Sequence, residues 1–236
     1  IDGVLLFESS YDLDPALLRL ETLEGRFARL RSLVPRFREA GLEVHINVEI
    51  TMGHGDAGGA RPERFDFQFM VNQEGLVSRS SPCPLDPGFL DYVGQIYGWA
   101  AGCMADAVWV DDDVRFLQHD VPGMTCFCPR HLAAMTERMA RDLPYTRSAL
   151  VADLLDDGRT DVREAWFTLQ EDAMLDLAWR VEQEVHNVAP GQAIGLMTVG
   201  TTFHHAEGRR VDRFLRALAG EGRRPLLRPG SGFWSD

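Results

Sequence analysis

The sequence contains no lysine, and all 24 of its basic residues are arginine. This absence excludes a Schiff-base lysine and the lysine of a phosphate-binding P-loop. The chain also lacks a run of about 18 apolar residues that could cross a bilayer. Its formal charge of -12 at pH 7 leaves no basic footprint for nucleic acid or for an anionic membrane. We therefore expect neither of those partners, and a neutral or cationic small substrate instead.

Cysteine is scarce as well. Four cysteines, at positions 83, 103, 126 and 128, are too few and too clustered for a scaffold held by disulfides. Their number favours metal binding in a reducing compartment and hence a cytoplasmic protein. The 236 residues are 45% hydrophobic and 25% charged, which predicts one globular domain over residues 1–236. Since the chain does not start with Met and stops just after a strand-like segment, we interpret it as part of a longer chain.

Strand-like and helix-like segments alternate along the chain. Short apolar runs predict strands at 4–7, 44–50, 67–71, 107–110, 193–199 and 226–227. Apolar residues at helical spacing predict helices at 23–40, 88–103, 129–142, 147–155, 161–188 and 211–219. This alternation predicts an α/β fold with a parallel sheet, open or closed, and helices outside it.

Polar residues cluster where the predicted strands end. In a parallel sheet the loops after the strands share one edge, and that edge carries the chemistry. The residues in such positions are Glu8, Glu49, His54, Asp56, Asp111, Asp112, Asp113, His204 and His205.

Three consecutive carboxylates, Asp111 to Asp113, follow the strand at 107–110. Mutual repulsion is expected to raise the pKa of at least one of them, as a general acid requires. Because strand side chains alternate, Asp111 and Asp113 would share a face, with Asp112 on the other, if the strand continues that far. The alternative is a solvated acidic loop tip or a helix N-cap.

Cys126, Cys128 and His131 follow with C-x-C-x-x-H spacing, which lets all three ligands face one point. Cys83 precedes the helix at 88–103 and so lies on the same edge of the sheet, whereas Cys103 lies at the far end of that helix. We expect Cys83, Cys126, Cys128 and His131 to hold one structural zinc ion in a closed tetrahedral site. The alternative is that the cysteines are small buried apolar residues.

The stretch from about residue 60 to 140 resembles glycoside hydrolase family 42, the zinc-bearing β-galactosidases. That family has an Arg four residues before a Cys, then a helix, a strand ending in Asp-Asn-Glu, and Cys-x-Cys-x-x-Cys. Here Arg79, Cys83, Asp111-Asp112-Asp113 and Cys126-x-Cys128-x-x-His131 follow in the same order. His131 replaces the last Cys, Asp113 the general-acid Glu and Asp112 the Asn.

The resemblance implies a (β/α)8 TIM-barrel-like fold, incomplete here with about six strands covered, and a glycosidase that hydrolyses O-glycosyl bonds. It implies Asp113 as the acid/base, Asp112 near the substrate 2-hydroxyl and Arg79 as a sugar ligand. The family's nucleophile, a Glu at the end of the seventh barrel strand, has no match in this chain. We therefore expect no glycosidase activity from these 236 residues alone, unless Glu49 or another strand-end carboxylate supplies the second group.

Further site candidates come from the residues themselves. Asp111 is the second catalytic candidate, and carbohydrate contacts are expected from Glu49, His54 and Trp234, whose ring could stack on a pyranose. Two other functions stay open. One is a metal-dependent hydrolase in which Asp111, Asp113, His119 and His54 hold a catalytic ion. The other is an inactive barrel that binds sugar, and a homo-oligomer is compatible with each of these functions.

Overall fold

The computed structural model describes residues 2–9, 17–53, 65–117, 120–198 and 210–230. Five strands form one parallel sheet and are neighbours in chain order: β1 (Gly3–Phe7), β2 (Glu43–Val48), β5 (Ala107–Val110), β6 (Ala193–Met197) and β7 (Leu226–Arg228). Two more strands, β3 (Phe69–Val71) and β4 (Val77–Pro82), form an antiparallel pair. Each strand of the parallel sheet is added on the same side as the one before, without the reversal of order that marks a doubly wound sheet.

Six helices lie among the described residues: α1 (Leu20–Glu39), α2 (Pro87–Gly102), α3 (Pro129–Arg138), α4 (Arg147–Leu155), α5 (Thr160–Val188) and α6 (Val211–Ala219). Helices α1, α2 and α6 contact the parallel sheet, and α5 packs against α2 and α6. Helix α2 begins where the sequence predicts, because Asp86 caps it by accepting a hydrogen bond from Gly88 N and Pro87 occupies its first turn. Within the described ranges, no helix is long and apolar enough to cross a membrane.

Alternate side chains of the parallel sheet point to two different environments. On the side that we call the helix face, they are buried in one hydrophobic core together with residues of α1, α2, α5 and α6. Such apolar strands, shielded by crossover helices, are typical of parallel sheets. The strand residues on this face are Val44, Ile46, Val48, Val108, Val110, Ile194 and Leu196.

The opposite side, which we call the cavity face, lines an open depression of about 270 Å³. Trp109 lines it, half-buried, and its Nε1 donates to Nδ1 of His45 at 3.0 Å. The Trp109 ring fits there because Gly195 is opposite, and a Cβ at that position would come within 2.4 Å of the ring. At the edge strand, Leu5 and Phe7 are 37% and 43% exposed, so the cavity face is accessible.

The prediction of a parallel strand at 67–71 is wrong. Strand β3 pairs antiparallel with β4, Phe69 opposite Pro82 and Val71 opposite Val77. The described parallel sheet therefore has five strands and not six. The apolar run that suggested a sheet strand packs instead on α2, where Phe67 contacts the rings of Phe89 and Tyr92.

A second, smaller hydrophobic core joins α3, α4 and the first half of α5. Phe127 stacks on Trp166 with ring centroids 4.8 Å apart. The His131 ring lies 6.2 Å from Trp166 and 5.7 Å from Phe116, which belongs to the main core. The residues around His131 thus form the junction between the two cores.

Candidate active site and metal centre

The backbone of residues 49–53, directly after β2, is held by carboxylates from both neighbouring strands. On one side, Glu8 after β1 accepts hydrogen bonds from Glu49 N (3.0 Å) and Ile50 N (3.2 Å). On the other side, Asp113 after β5 accepts from Met52 N (2.6 Å) and Gly53 N (2.7 Å) through one oxygen, Oδ2. Four of the five amides in this loop are therefore bound by two carboxyl groups.

Both carboxyl groups are buried. Glu8 is 4% exposed and Asp113 is fully buried. Burial raises the pKa of Glu8 to about 8, because water no longer stabilises its charge, although the two amide hydrogen bonds oppose this rise. Between them, Thr51 Oγ1 lies 2.8 Å from the hydroxyl of buried Tyr97, a residue of α2 whose pKa burial raises well above its usual value. The loop is thus fixed from the helix face at every residue.

The cavity face carries a different pair of carboxylates at the same edge. Asn47 Nδ2 donates to Asp111 Oδ2 at 2.6 Å, and Asp112 N donates to Asp111 Oδ1 at 2.7 Å. Asp111 remains partly exposed. Glu49, two residues after Asn47, is 8% exposed and accepts from the Ser9 hydroxyl at 2.7 Å. The carboxylate triplet is therefore divided, since Asp111 binds Asn47 on the cavity face of the sheet while Asp113 binds backbone amides.

Asp112 and Arg79 lie at the margins of this edge. The Arg115 guanidinium approaches Asp112 Oδ1 at 3.9 Å, with both side chains mostly shielded from solvent. Arg79 is exposed on β4, between buried Ser78 and Ser80. Its backbone N donates to Asp120 Oδ2 at 2.6 Å, so the strand is anchored while the Arg79 side chain extends outward.

Cys83, Cys126, Cys128 and His131 come together as the sequence predicts. Their four candidate ligand atoms lie within 4.8 Å of one another, and all four residues are buried. Nδ1 of His131 is 3.2 Å from Cys83 Sγ and 3.5 Å from Cys128 Sγ, and the two sulfur atoms are 3.5 Å apart. All four cysteines of the chain are free thiols. The cluster brings the start of α3 to the end of the β3–β4 pair.

The thiols differ in their electrostatics. Burial raises the pKa of Cys83 and of Cys126, whereas hydrogen bonds from the Cys126 and Cys83 sulfurs lower that of Cys128 well below its usual value. Cys103 lies outside the cluster, where burial raises its pKa to about 11 and its Sγ donates to the Trp99 carbonyl. The prediction that excluded Cys103 from the ligand set agrees with this geometry.

Several predicted site residues, namely His54, Trp234 and His119, lie outside the described residues. Among the residues that the structure describes, the cysteine–histidine cluster is the only group of three or more side chains close enough to hold a metal ion. Two further residues of this region, Asn47 and Tyr97, are not predicted from the sequence pattern. Asn47 could have been found, because a polar Asn inside an apolar strand is unusual. Nothing in the sequence near Tyr97 points to its role, because its partner Thr51 is 46 residues away.

No family model and no curated protein matches this sequence. Solved structures do share its fold. The β-galactosidase from the psychrophilic Marinomonas ef1 has a TM-score of 0.59 at 14% identity, over 98% of this chain and 36% of that one. The β-amylase catalytic domain from Paenibacillus polymyxa has a TM-score of 0.60 at 9% identity, over 96% and 73%.

The glycoside hydrolase domain of PgaB (BpsB) from Bordetella bronchiseptica has a TM-score of 0.52 at 14% identity, over 97% of this chain and 74% of that one. This chain thus spans about a third of the β-galactosidase and about three quarters of the other two. At such low identity the likeness concerns the fold. This chain therefore shares a fold with these three solved structures, and the ends of its own parallel strands carry acidic side chains.

Proposed function

We propose that this chain is a glycoside hydrolase-like domain that acts on or binds carbohydrate at the carboxyl ends of its parallel strands. The observation that carries the proposal is the position of Asp111 and Glu49, two carboxylates on the accessible cavity face of a sheet that glycoside hydrolases share. Parallel α/β sheets bind their ligands at this edge. A (β/α)8 barrel of the family 42 type is the finer form of the proposal, supported by the order of Arg79, the acidic triplet and the cysteine cluster.

The proposed catalytic carboxylates are Asp111 and Asp113. Asp111 is partly exposed and can meet a substrate directly. Asp113 binds the amides of Met52 and Gly53, so it reaches a substrate only when the 49–53 loop opens. Arg79, Asp112 and Glu49 are proposed to contact the sugar, together with His54 and Trp234.

We assign the metal centre a structural role. Zinc lies about 2.0–2.3 Å from His and Cys ligands, so the ligand atoms of a tetrahedral site are about 3.5–3.8 Å apart. The distances of 3.2–3.5 Å among His131, Cys83 and Cys128 are close to that geometry, and all four ligand atoms lie within 4.8 Å of one another. Three thiols and one imidazole are the donors that zinc prefers, and with four protein ligands no position is left for substrate. Such an ion would hold α3 against the β3–β4 pair.

Carbohydrate binding and hydrolysis test the proposed function together. Titration of the chain with mono- and oligosaccharides of common hexoses should give saturable binding, and aryl glycosides of the same sugars serve as hydrolysis substrates. Chelator treatment separates the proposal from a metal-dependent hydrolase, because a glycosidase with a structural zinc keeps its activity until it unfolds. Absence of binding to every sugar in the panel would refute the proposed function.

A further inference from the structure

We propose that Glu49 is the partner carboxylate of Asp111, so that both catalytic groups of a retaining glycosidase lie within this chain. The inference rests on the proposed function and deepens it. A glycosidase needs two carboxyl groups flanking one bond, about 5–5.5 Å apart for retention and about 6.5–9.5 Å for inversion. The sequence does not show which second carboxylate lies beside the acidic triplet. The register of the parallel sheet indicates Glu49.

The register places Glu49 beside Asp111. Strands β2 and β5 are hydrogen-bonded neighbours, with Asn47 opposite Trp109 and Val48 opposite Val110. Continued one residue past the ends of both strands, this register puts Glu49 opposite Asp111. Neighbouring strands lie about 4.8 Å apart. The alternation of side chains puts both residues on the cavity face, as the hydrogen bond from Asn47 to Asp111 requires.

Hydrogen bonds orient the two carboxylates. Glu49 accepts a hydrogen bond from the hydroxyl of Ser9, which follows β1, and Asp111 accepts one from Asn47 of β2. Because neighbouring strands are about 4.8 Å apart, two carboxylates on them are nearer to the separation of a retaining pair than to that of an inverting pair.

The row of the sheet directly below the pair is suited to a sugar ring. Phe7, Asn47, Trp109 and Gly195 are in register across four strands. Phe7 is 43% exposed and Trp109 half-buried, so two aromatic rings form part of the floor. Aromatic faces pack well on the C–H surfaces of pyranoses. The proposed pair therefore adjoins two aromatic side chains of the kind that bind sugar rings.

The two carboxylates take different roles, and Glu49 replaces Asp113 as the acid/base because Asp113 is held by the amides of Met52 and Gly53. Asp111 accepts two hydrogen bonds, which stabilise a carboxylate, and is the nucleophile. An Asp111 oxygen bonds to the anomeric carbon as the glycosidic C–O bond breaks, and the Glu49 carboxyl gives its proton to the leaving oxygen. Water then attacks the same carbon and gives a proton to Glu49, and the bond to Asp111 breaks. The product keeps the configuration of the substrate.

Glu8 is a positioning residue for this pair. It binds the amides of Glu49 and Ile50 from the helix face and so fixes the backbone from which the Glu49 side chain extends. It has no direct role in the two chemical steps.

The test compares two substrates on four forms of the protein. The wild type, Glu49→Gln, Asp111→Asn and Glu39→Gln are assayed on dinitrophenyl glycosides, whose leaving group needs no acid, and on methylumbelliferyl glycosides. We expect Glu49→Gln to lose at least about 100-fold of kcat/KM on the second substrate, the scale of a lost general acid, and little of kcat/KM on the first. Asp111→Asn should lose activity on both substrates. Glu39→Gln, exposed at the end of α1, is the control and should be unchanged.

Each outcome of this comparison supports or contradicts either the Glu49–Asp111 pair or the proposed function. Product NMR from the wild type should show retention, and inversion would overturn the pair, as would a Glu49→Gln variant with wild-type kcat/KM on both substrates. A wild type that binds sugar but hydrolyses neither substrate would also overturn it, while leaving carbohydrate binding in place. A wild type that neither binds nor hydrolyses would refute the proposed function itself.

Discussion

Oδ2 of Asp113 accepts a hydrogen bond of 2.7 Å from the backbone N–H of Gly53, in a part of the molecule from which water is excluded. Gly53 has φ of +94°, and a Cβ at that position would lie 2.2 Å from the Ser80 carbonyl oxygen. The Asp113 carboxylate therefore holds Gly53 tightly between the end of β2 and strand β4. The residue that aligns with a general acid in sequence also fixes the backbone beside the candidate site.

Asp113→Ala should destabilise the protein. Two buried amides, those of Met52 and Gly53, lose their acceptor, and each such loss costs about 1–3 kcal/mol. We expect the free energy of unfolding to fall by about 2–4 kcal/mol in denaturant titrations. Asp142→Ala, an exposed position, serves as control. A wild-type stability of Asp113→Ala would contradict the loop-anchoring role.

Asp113→Asn separates anchoring from catalysis, because the amide oxygen of Asn can still accept both hydrogen bonds. If Asp113 is the acid/base, this variant should keep most of its stability and lose at least about 100-fold in turnover. Turnover on aryl glycosides and the unfolding midpoint are measured on the same preparation. An active Asp113→Asn protein would contradict the assignment of Asp113 as acid/base. Its role would then be to bind the amides of Met52 and Gly53.

The stability of the protein should fall as pH rises, because the pKa of Glu8 is raised in the folded chain. Its pKa is about 8 in the folded chain and about 4.5 in the unfolded one. Between these values the folded state binds more protons than the unfolded state, so the free energy of unfolding decreases as pH rises from about 5 to about 8. Glu8→Gln loses an acceptor at every pH but lacks this slope. Its deficit relative to wild type should therefore shrink toward pH 8, and a constant deficit would contradict the prediction.

Metal analysis should find about one zinc ion per chain. Cys83→Ser and Cys126→Ser should lose the metal and melt at a lower temperature, because a structural zinc site contributes directly to folding. Cys103→Ser is the matched control, a buried cysteine outside the cluster that should keep a full complement of zinc. Substitution with cobalt(II) should give the absorbance of a tetrahedral thiolate site. A metal-free protein with a disulfide among these cysteines would contradict the proposed zinc site.

Arg79→Ala should weaken sugar binding by about tenfold or more, the scale of a lost charged hydrogen bond. The strand should stay in place, since Asp120 binds the backbone N of Arg79 and not its side chain. Arg36→Ala, exposed on α1, controls for loss of surface charge. The dissociation constant is measured by calorimetry, and an unchanged value would argue against Arg79 as a ligand.

Local signals in the sequence determined the cysteine–histidine cluster and most of the elements. The spacing of Cys126, Cys128 and His131 lets the three ligands converge within one turn, and the position of Cys83 before α2 adds the fourth. Asp86 and Pro87 likewise place the start of α2 through contacts a few residues apart. Such features depend on neighbours in the chain, which a sequence displays directly.

Only the tertiary structure decided the pairing of β3 with β4 and the different positions of Asp111 and Asp113. The segment 67–71 is apolar enough for either sheet, and its aromatic packing on α2 selects one. Strand alternation predicts one face for both carboxylates, but β5 ends at Val110, so Asp113 can turn to the amides of Met52 and Gly53, about 60 residues away. Contacts at that separation follow from how the strands assemble, and the sequence shows no local trace of them.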